Sequence, residues 1–149
     1  MQLISCIFIL LTLLPLEGEA LARWSGAGRI HFFEKPIPLR IYEDAQRLGK
    51  EQGADAHSFF MARVQILTYS TTAERTVEEL IIKIIQVFDG EIPKEEFFVK
   101  RWISTIDDGL PDIPVNKFYY IMGTFINGDI QLLSTSVQEL TDSGYFKNK

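Results

Sequence analysis

Eleven consecutive residues without Gly or Pro, FFMARVQILTY at Phe59 to Tyr69, limit the fold of this chain more than any other segment. Met61 and Arg63 alternate with Ala62, Val64 and Ile66, the two-residue period of a strand whose faces meet different surroundings. A strand of that length needs partners, and the sequence offers several. RIHFF, Arg29 to Phe33, reads as a short strand after a turn marked by Gly26 and Gly28. Pro36 then breaks the chain, since it lacks an N–H and restricts Lys35. IPLRIYE is expected as a second strand, with Ile37, Leu39 and Ile41 on one face and Pro38, Arg40 and Tyr42 on the other. Near the C-terminus, KFYYIMGTF and DIQLLS flank Asn127-Gly128, the signature of a two-residue type I′ hairpin.

Elsewhere the period changes. TTAERTVEELIIKIIQVFDG places Val77, Leu80, Ile81, Ile84, Ile85 and Phe88 at helical spacing, with Thr71 and Glu74 as a capping box and Gly90 as its C′ residue. A second helix is expected from Pro93, with Phe98, Trp102 and Ile106 as its stripe and Gly109 at its end. TSVQEL, with Thr135 and Gln138 at capping-box spacing, predicts a short helix, while the polar DAQRLGKEQGADAHS is either a frayed helix or a long loop. Strands grouped around two helices predict an α+β domain, a mainly antiparallel sheet with helices packed on one face.

The first 22 residues are expected to be a signal peptide outside that domain. LISCIFILLTLLPL is uncharged, too short for the roughly 20 residues of a membrane span, and precedes Ala20-Leu21-Ala22, a small-x-small cleavage site before Arg23. Its n-region, Met1-Gln2, has no Lys or Arg, so an uncleaved anchor is the alternative. Cys6 is the only cysteine, so cleavage leaves residues 23–149 without a disulfide framework or thiolate metal site. The whole chain carries −5; losing Glu17 and Glu19 with the leader leaves −3. No basic stripe is present, which argues against nucleic acid as a partner. The expected location is periplasmic or secreted, with no transmembrane segment in the mature chain.

Several stretches taken in order resemble the chalcone isomerase-like family, in particular its short exported bacterial members. They are ARWSGAGRI, IPLRIYEDAQRL, RVQILTY, TTAERTVEELI, the Trp102 to Leu110-Pro111-Asp112-Ile113 exit, KFYYIM and FING. The resemblance implies an antiparallel sheet and a helical layer enclosing an apolar cleft, in a family that spans isomerases, fatty-acid binders and non-catalytic relatives. Ser70-Thr71 follow Tyr69 where exported relatives often carry Arg-Asp, which weakens any transfer of a catalytic arginine.

The residues themselves offer little chemistry. His31 and His57 have no partner spacing for zinc or a triad, and no nucleotide-binding glycine motif occurs. Asp107, Asp108 and Asp112 supply too few oxygens, interrupted by Pro111, for a calcium loop, and read as a solvated helix exit. Two pairs stand out, Arg40 with Tyr42 and Arg63 with Tyr69, each an even number of residues apart on an expected strand. An arginine and a phenol facing a cleft suit an apolar ligand with one acidic head, such as a fatty acid; on the solvent face they bind nothing. A non-catalytic binding domain without cofactor or metal is therefore the expected function. The alternatives are a protein-binding accessory, inhibitor or immunity protein, and a chalcone isomerase-type intramolecular lyase.

Overall fold

The computed structural model describes residues 22–25, 29–72, 77–102 and 115–147. Residues 1–21, which hold most of the expected signal peptide, the expected turn at Gly26 and Gly28, the expected cap partner Glu74, and Ile106 to Asp112 with Asp107, Asp108 and Gly109 lie outside the described residues. In chain order the elements are β1 (Ala22–Ser25), β2 (Arg29–Phe33), α1 (Leu39–Glu51), β3 (Phe59–Thr71), β4 (Val77–Asp89) and β5 (Glu96–Trp102). They continue with β6 (Phe118–Ile126), β7 (Asp129–Leu132), β8 (Thr135–Ser136) and α2 (Val137–Asp142). The strands form one sheet in the order β1-β2-β6-β3-β4-β5, with β7 added to β6 and β8 to β2. Every pairing is antiparallel, so the α+β class expected from the sequence is what is seen. Among the described residues no helix is long and apolar enough to cross a membrane.

The hairpin of β3 and β4 shapes the sheet. Within its ladder, from Met61 opposite Asp89 to Thr71 opposite Glu78, three residues have no opposite number: Leu67 on β3, and Ile85 and Phe88 on β4. Each such bulge bends its strand and increases local twist. The inner face closes on itself as a result. Phe32 from β2, Phe97 and Val99 from β5, and Ile130 and Leu132 from β7 share one cluster with Phe60, Val64, Ile66, Leu80, Ile82 and Ile121. The Arg101 guanidinium on β5 lies 4.9 Å from the ring of Phe32 on β2, although three strands separate them in the sheet order. Gly123 makes room for this packing, since a Cβ there would sit 2.6 Å from the Phe60 ring.

Both helices cover the opposite face. Ile41, Tyr42 and Ala45 of α1 and Leu140 of α2 pack with Ile30, Phe33, Phe59 and Met122. The expected strand IPLRIYE is thus corrected to the start of α1. Its alternation of Ile37, Leu39 and Ile41 was fortuitous, because Leu39 is 63% exposed and the buried stripe runs Ile41, Tyr42, Ala45, Gly49. Gly49 is buried against Phe59, whose ring leaves only 2.7 Å for a Cβ.

The expected helices over 71–90 and 93–109 are also corrected: their described parts are β4 and β5. In β4, Glu78, Leu80, Ile82 and Ile84 face inward, but isoleucines at 81 and 85 on the other face imitate a helical stripe. The β-branched run favours a strand. Thr71 closes β3 instead of capping a helix, and Gly90 ends a strand. Its φ of 82° fits the left-handed conformation a C′ residue would have, but a Cβ would meet the Phe59 carbonyl oxygen at 2.2 Å. In β5, Phe97 and Val99 point inward while Phe98 is 58% exposed. The type I′ hairpin stands as expected, with φ of 53° at Asn127 and 83° at Gly128. The short last helix also forms, with its box one residue later than expected, Ser136 with Glu139.

Candidate functional site

The four residues expected to bind a ligand are divided between the two faces of the sheet and α1. Arg40 lies on α1, exposed, and shares no strand face with Tyr42. Tyr42 is buried, and its phenol donates to Asp89 Oδ2 at 2.6 Å. Burial first, and the Asp89 carboxylate second, push that phenol well above its ordinary pKa. Arg63 and Tyr69 do not share a face either. The unpaired Leu67 between them reverses the alternation, so Tyr69 joins the inner cluster opposite Leu80 while Arg63 faces outward.

On the outer face Arg63 stands between Gln86 on β4 and Tyr120 on β6. Its guanidinium lies 4.5 Å from the centre of the Phe118 ring and forms no ion pair among the described residues. Phe88, displaced by its bulge, stacks on Tyr120 with ring centres 5.8 Å apart. Phe88 and Phe118 remain 44% and 40% exposed. Asp89, the acceptor for Tyr42, pairs with Met61, two positions along β3 from Arg63. The result is an aromatic platform holding one cation and bordered by the phenol of α1, a surface able to meet an apolar body and an anionic head together.

The inner face holds a group of polar residues that sequence reasoning did not single out. Glu78 is fully buried and accepts from the Tyr69 hydroxyl at 2.8 Å and from Arg101, its direct cross-strand neighbour. Phe32, beneath the Arg101 guanidinium, meets Tyr119 edge-on at 5.7 Å. His31 borders this group with its Nδ1 sealed from solvent and unbonded. Desolvation first, then the charges of Arg101 and Arg29, push its pKa down to about 3. One signal for this group was present in the sequence: Glu78 occurs in phase with Leu80, Ile82 and Ile84, an acid on an apolar strand face. Its chemistry is that of a buried ion pair, which fixes structure more than it offers a reaction.

At the other end of the molecule, Asp55, His57, Ser58, Glu91, Ile92, Pro93 and Phe125 line an open depression of about 360 Å³. Among the described residues no three His, Cys, Asp or Glu side chains are grouped to hold a metal ion. No family model, curated protein or solved structure matches the chain.

Proposed function

We propose that the protein is an exported domain that acts by binding, holding an apolar molecule with one anionic head, such as a fatty acid, on the outer face of its sheet. Export rests on the apolar leader and its Ala20-Leu21-Ala22 site. The resemblance to chalcone isomerase-like proteins contributes the broad plan of a mainly antiparallel sheet with helices on one face. The observation that carries the proposal is Arg63, a half-buried guanidinium without a carboxylate partner among the described residues, set between Phe118 and Tyr120. The half-exposed rings of Phe88 and Phe118 would receive the apolar body, and Arg63 the head. Tyr69, which bonds Glu78 on the inner face, takes no part in this version of the site.

Titration of a fluorescent fatty acid into the wild type, Arg63→Ala and Arg40→Ala tests the proposal. Loss of a charge-assisted contact worth about 1.5–3 kcal/mol weakens binding at Arg63→Ala by roughly ten- to a hundredfold. Arg40→Ala, on the exposed surface of α1, leaves affinity unchanged. Equal affinity in all three, or no saturable binding, would remove the basis for the reading.

A further inference from the structure

We propose that β5 pairs with the β5 of a second copy of this chain, antiparallel about a twofold axis at Phe98, so that two sheets join into one. β5 ends the sheet order, and among the described residues it pairs only with β4. β7 comes near it, and Ile130 and Leu132 share the inner cluster with Phe97 and Val99, but no backbone ladder joins the two strands. A free strand edge is a template for another strand unless something blocks it. Pro93 precedes β5, and no proline lies within the strand to block it.

The side chains of β5 are complementary to themselves in that arrangement. With Phe98 opposite its copy, Glu96 faces Lys100 of the second chain, and Lys100 faces Glu96. On the inner face Phe97 meets Val99 of the copy and Val99 meets Phe97, apolar against apolar in both. The outer residues Glu96, Phe98 and Lys100 are all exposed, and Glu96 and Lys100 form no ion pair among the described residues. Existing cross-strand neighbours extend the pattern, because Lys83 lies opposite Glu96, Ile81 opposite Phe98 and Glu79 opposite Lys100. Across the joined sheets one outer row would read Lys83, Glu96, Lys100, Glu79, alternating in sign at every step. The row through the axis would read Ile81, Phe98, Phe98, Ile81, placing the exposed Phe98 ring against its own copy. Opposite charges directly across antiparallel strands attract, and like charges repel.

Sedimentation equilibrium on the full chain tests this, using the wild type and the variants Glu96→Lys, Lys100→Glu and Phe98→Lys, each checked for folding by circular dichroism. The wild type is expected at twice the chain mass. Each charge variant sets like charges across the axis twice and weakens self-association by roughly tenfold or more. Phe98→Lys, at an exposed position, sets two ammonium groups together at the axis and does the same. The decisive sample is an equimolar mixture of Glu96→Lys and Lys100→Glu, in which every facing pair is again opposite in sign. It should recover the dimer mass as a one-to-one pair, which a loss of folding in either variant would not reproduce. A monomeric wild type, folded charge variants that dimerise as tightly as the wild type, or a mixture that fails to pair would overturn the proposal.

Discussion

Replacing His31 by Gln should remove a specific part of the acid sensitivity of this fold. In the folded chain the His31 pKa is pushed down to about 3, whereas its ordinary value is 6.5. Its folded pKa is thus below its unfolded one, and the folded state stays neutral while the unfolded state takes up a proton. Stability from this group is fully present above pH 6.5 and is lost as pH falls from there towards 3. At pH 5 the unfolded histidine is 1.5 pH steps below its pKa, so the loss is about 2 kcal/mol at roughly 1.36 kcal/mol per step. That is an upper bound, because part of the ring keeps some solvent contact even though Nδ1 is sealed. For a domain of this size it corresponds to a melting shift of roughly 8 °C. Urea denaturation of the wild type and His31→Gln at pH 7 and pH 5 measures it, with the carboxylates common to both proteins cancelling in the difference. The wild type should lose up to about 2 kcal/mol more than the variant over that interval. Parallel loss in the two proteins would show that His31 is free to take a proton when folded, and the argument from its enclosure beside Arg101 would fail.

Removing one member of the buried pair, as in Arg101→Met, strands the Glu78 carboxylate and should cost about 3–5 kcal/mol in chemical denaturation. Arg101→Met combined with Glu78→Leu should recover most of that loss. Gly90→Ala must place a Cβ against the Phe59 carbonyl at a positive φ, and should lower stability by about 1–3 kcal/mol in the same assay. Intact-mass measurement of exported protein should find a chain beginning at Arg23; a mass that includes the leader would favour the anchor alternative.

Where the sequence is legible, a local rule acts alone. Phe59–Thr71 has an uninterrupted apolar alternation over its first half, and Asn127-Gly128 satisfies a turn that demands positive φ twice. Where it misleads, two patterns compete. The segment VEELIIKIIQVF carries large apolar residues on both strand faces, and its bulges at 85 and 88 break the two-residue period. The start of α1 has the opposite problem, an exposed Leu39 that completes a false alternation. The candidate site was half legible for the same reason. Arg63 belongs to the outer platform, but parity puts Tyr69 on the same face only if the strand is regular, and the unpaired Leu67 between them reverses that parity. The Glu78–Arg101 pair has no local sequence signature, because the two residues, 23 positions apart, are brought opposite only by strand pairing.

The Glu78–Arg101 pair also decides how β4 and β5 can be aligned. By apolar contact alone the two strands are nearly degenerate, because sliding one by two residues keeps each side chain on its face. Such a slip would set Leu80 against Phe97 and Glu78 against Val99, or Ile82 against Val99 and Leu80 against Arg101. Either way one hydrophobic contact replaces another while a buried carboxylate and a guanidinium lose each other, a penalty of several kcal/mol. The native alignment is therefore selected by one charged couple acting as a latch. A chain with both residues made apolar would be free to settle in more than one register, even while it kept most of its stability.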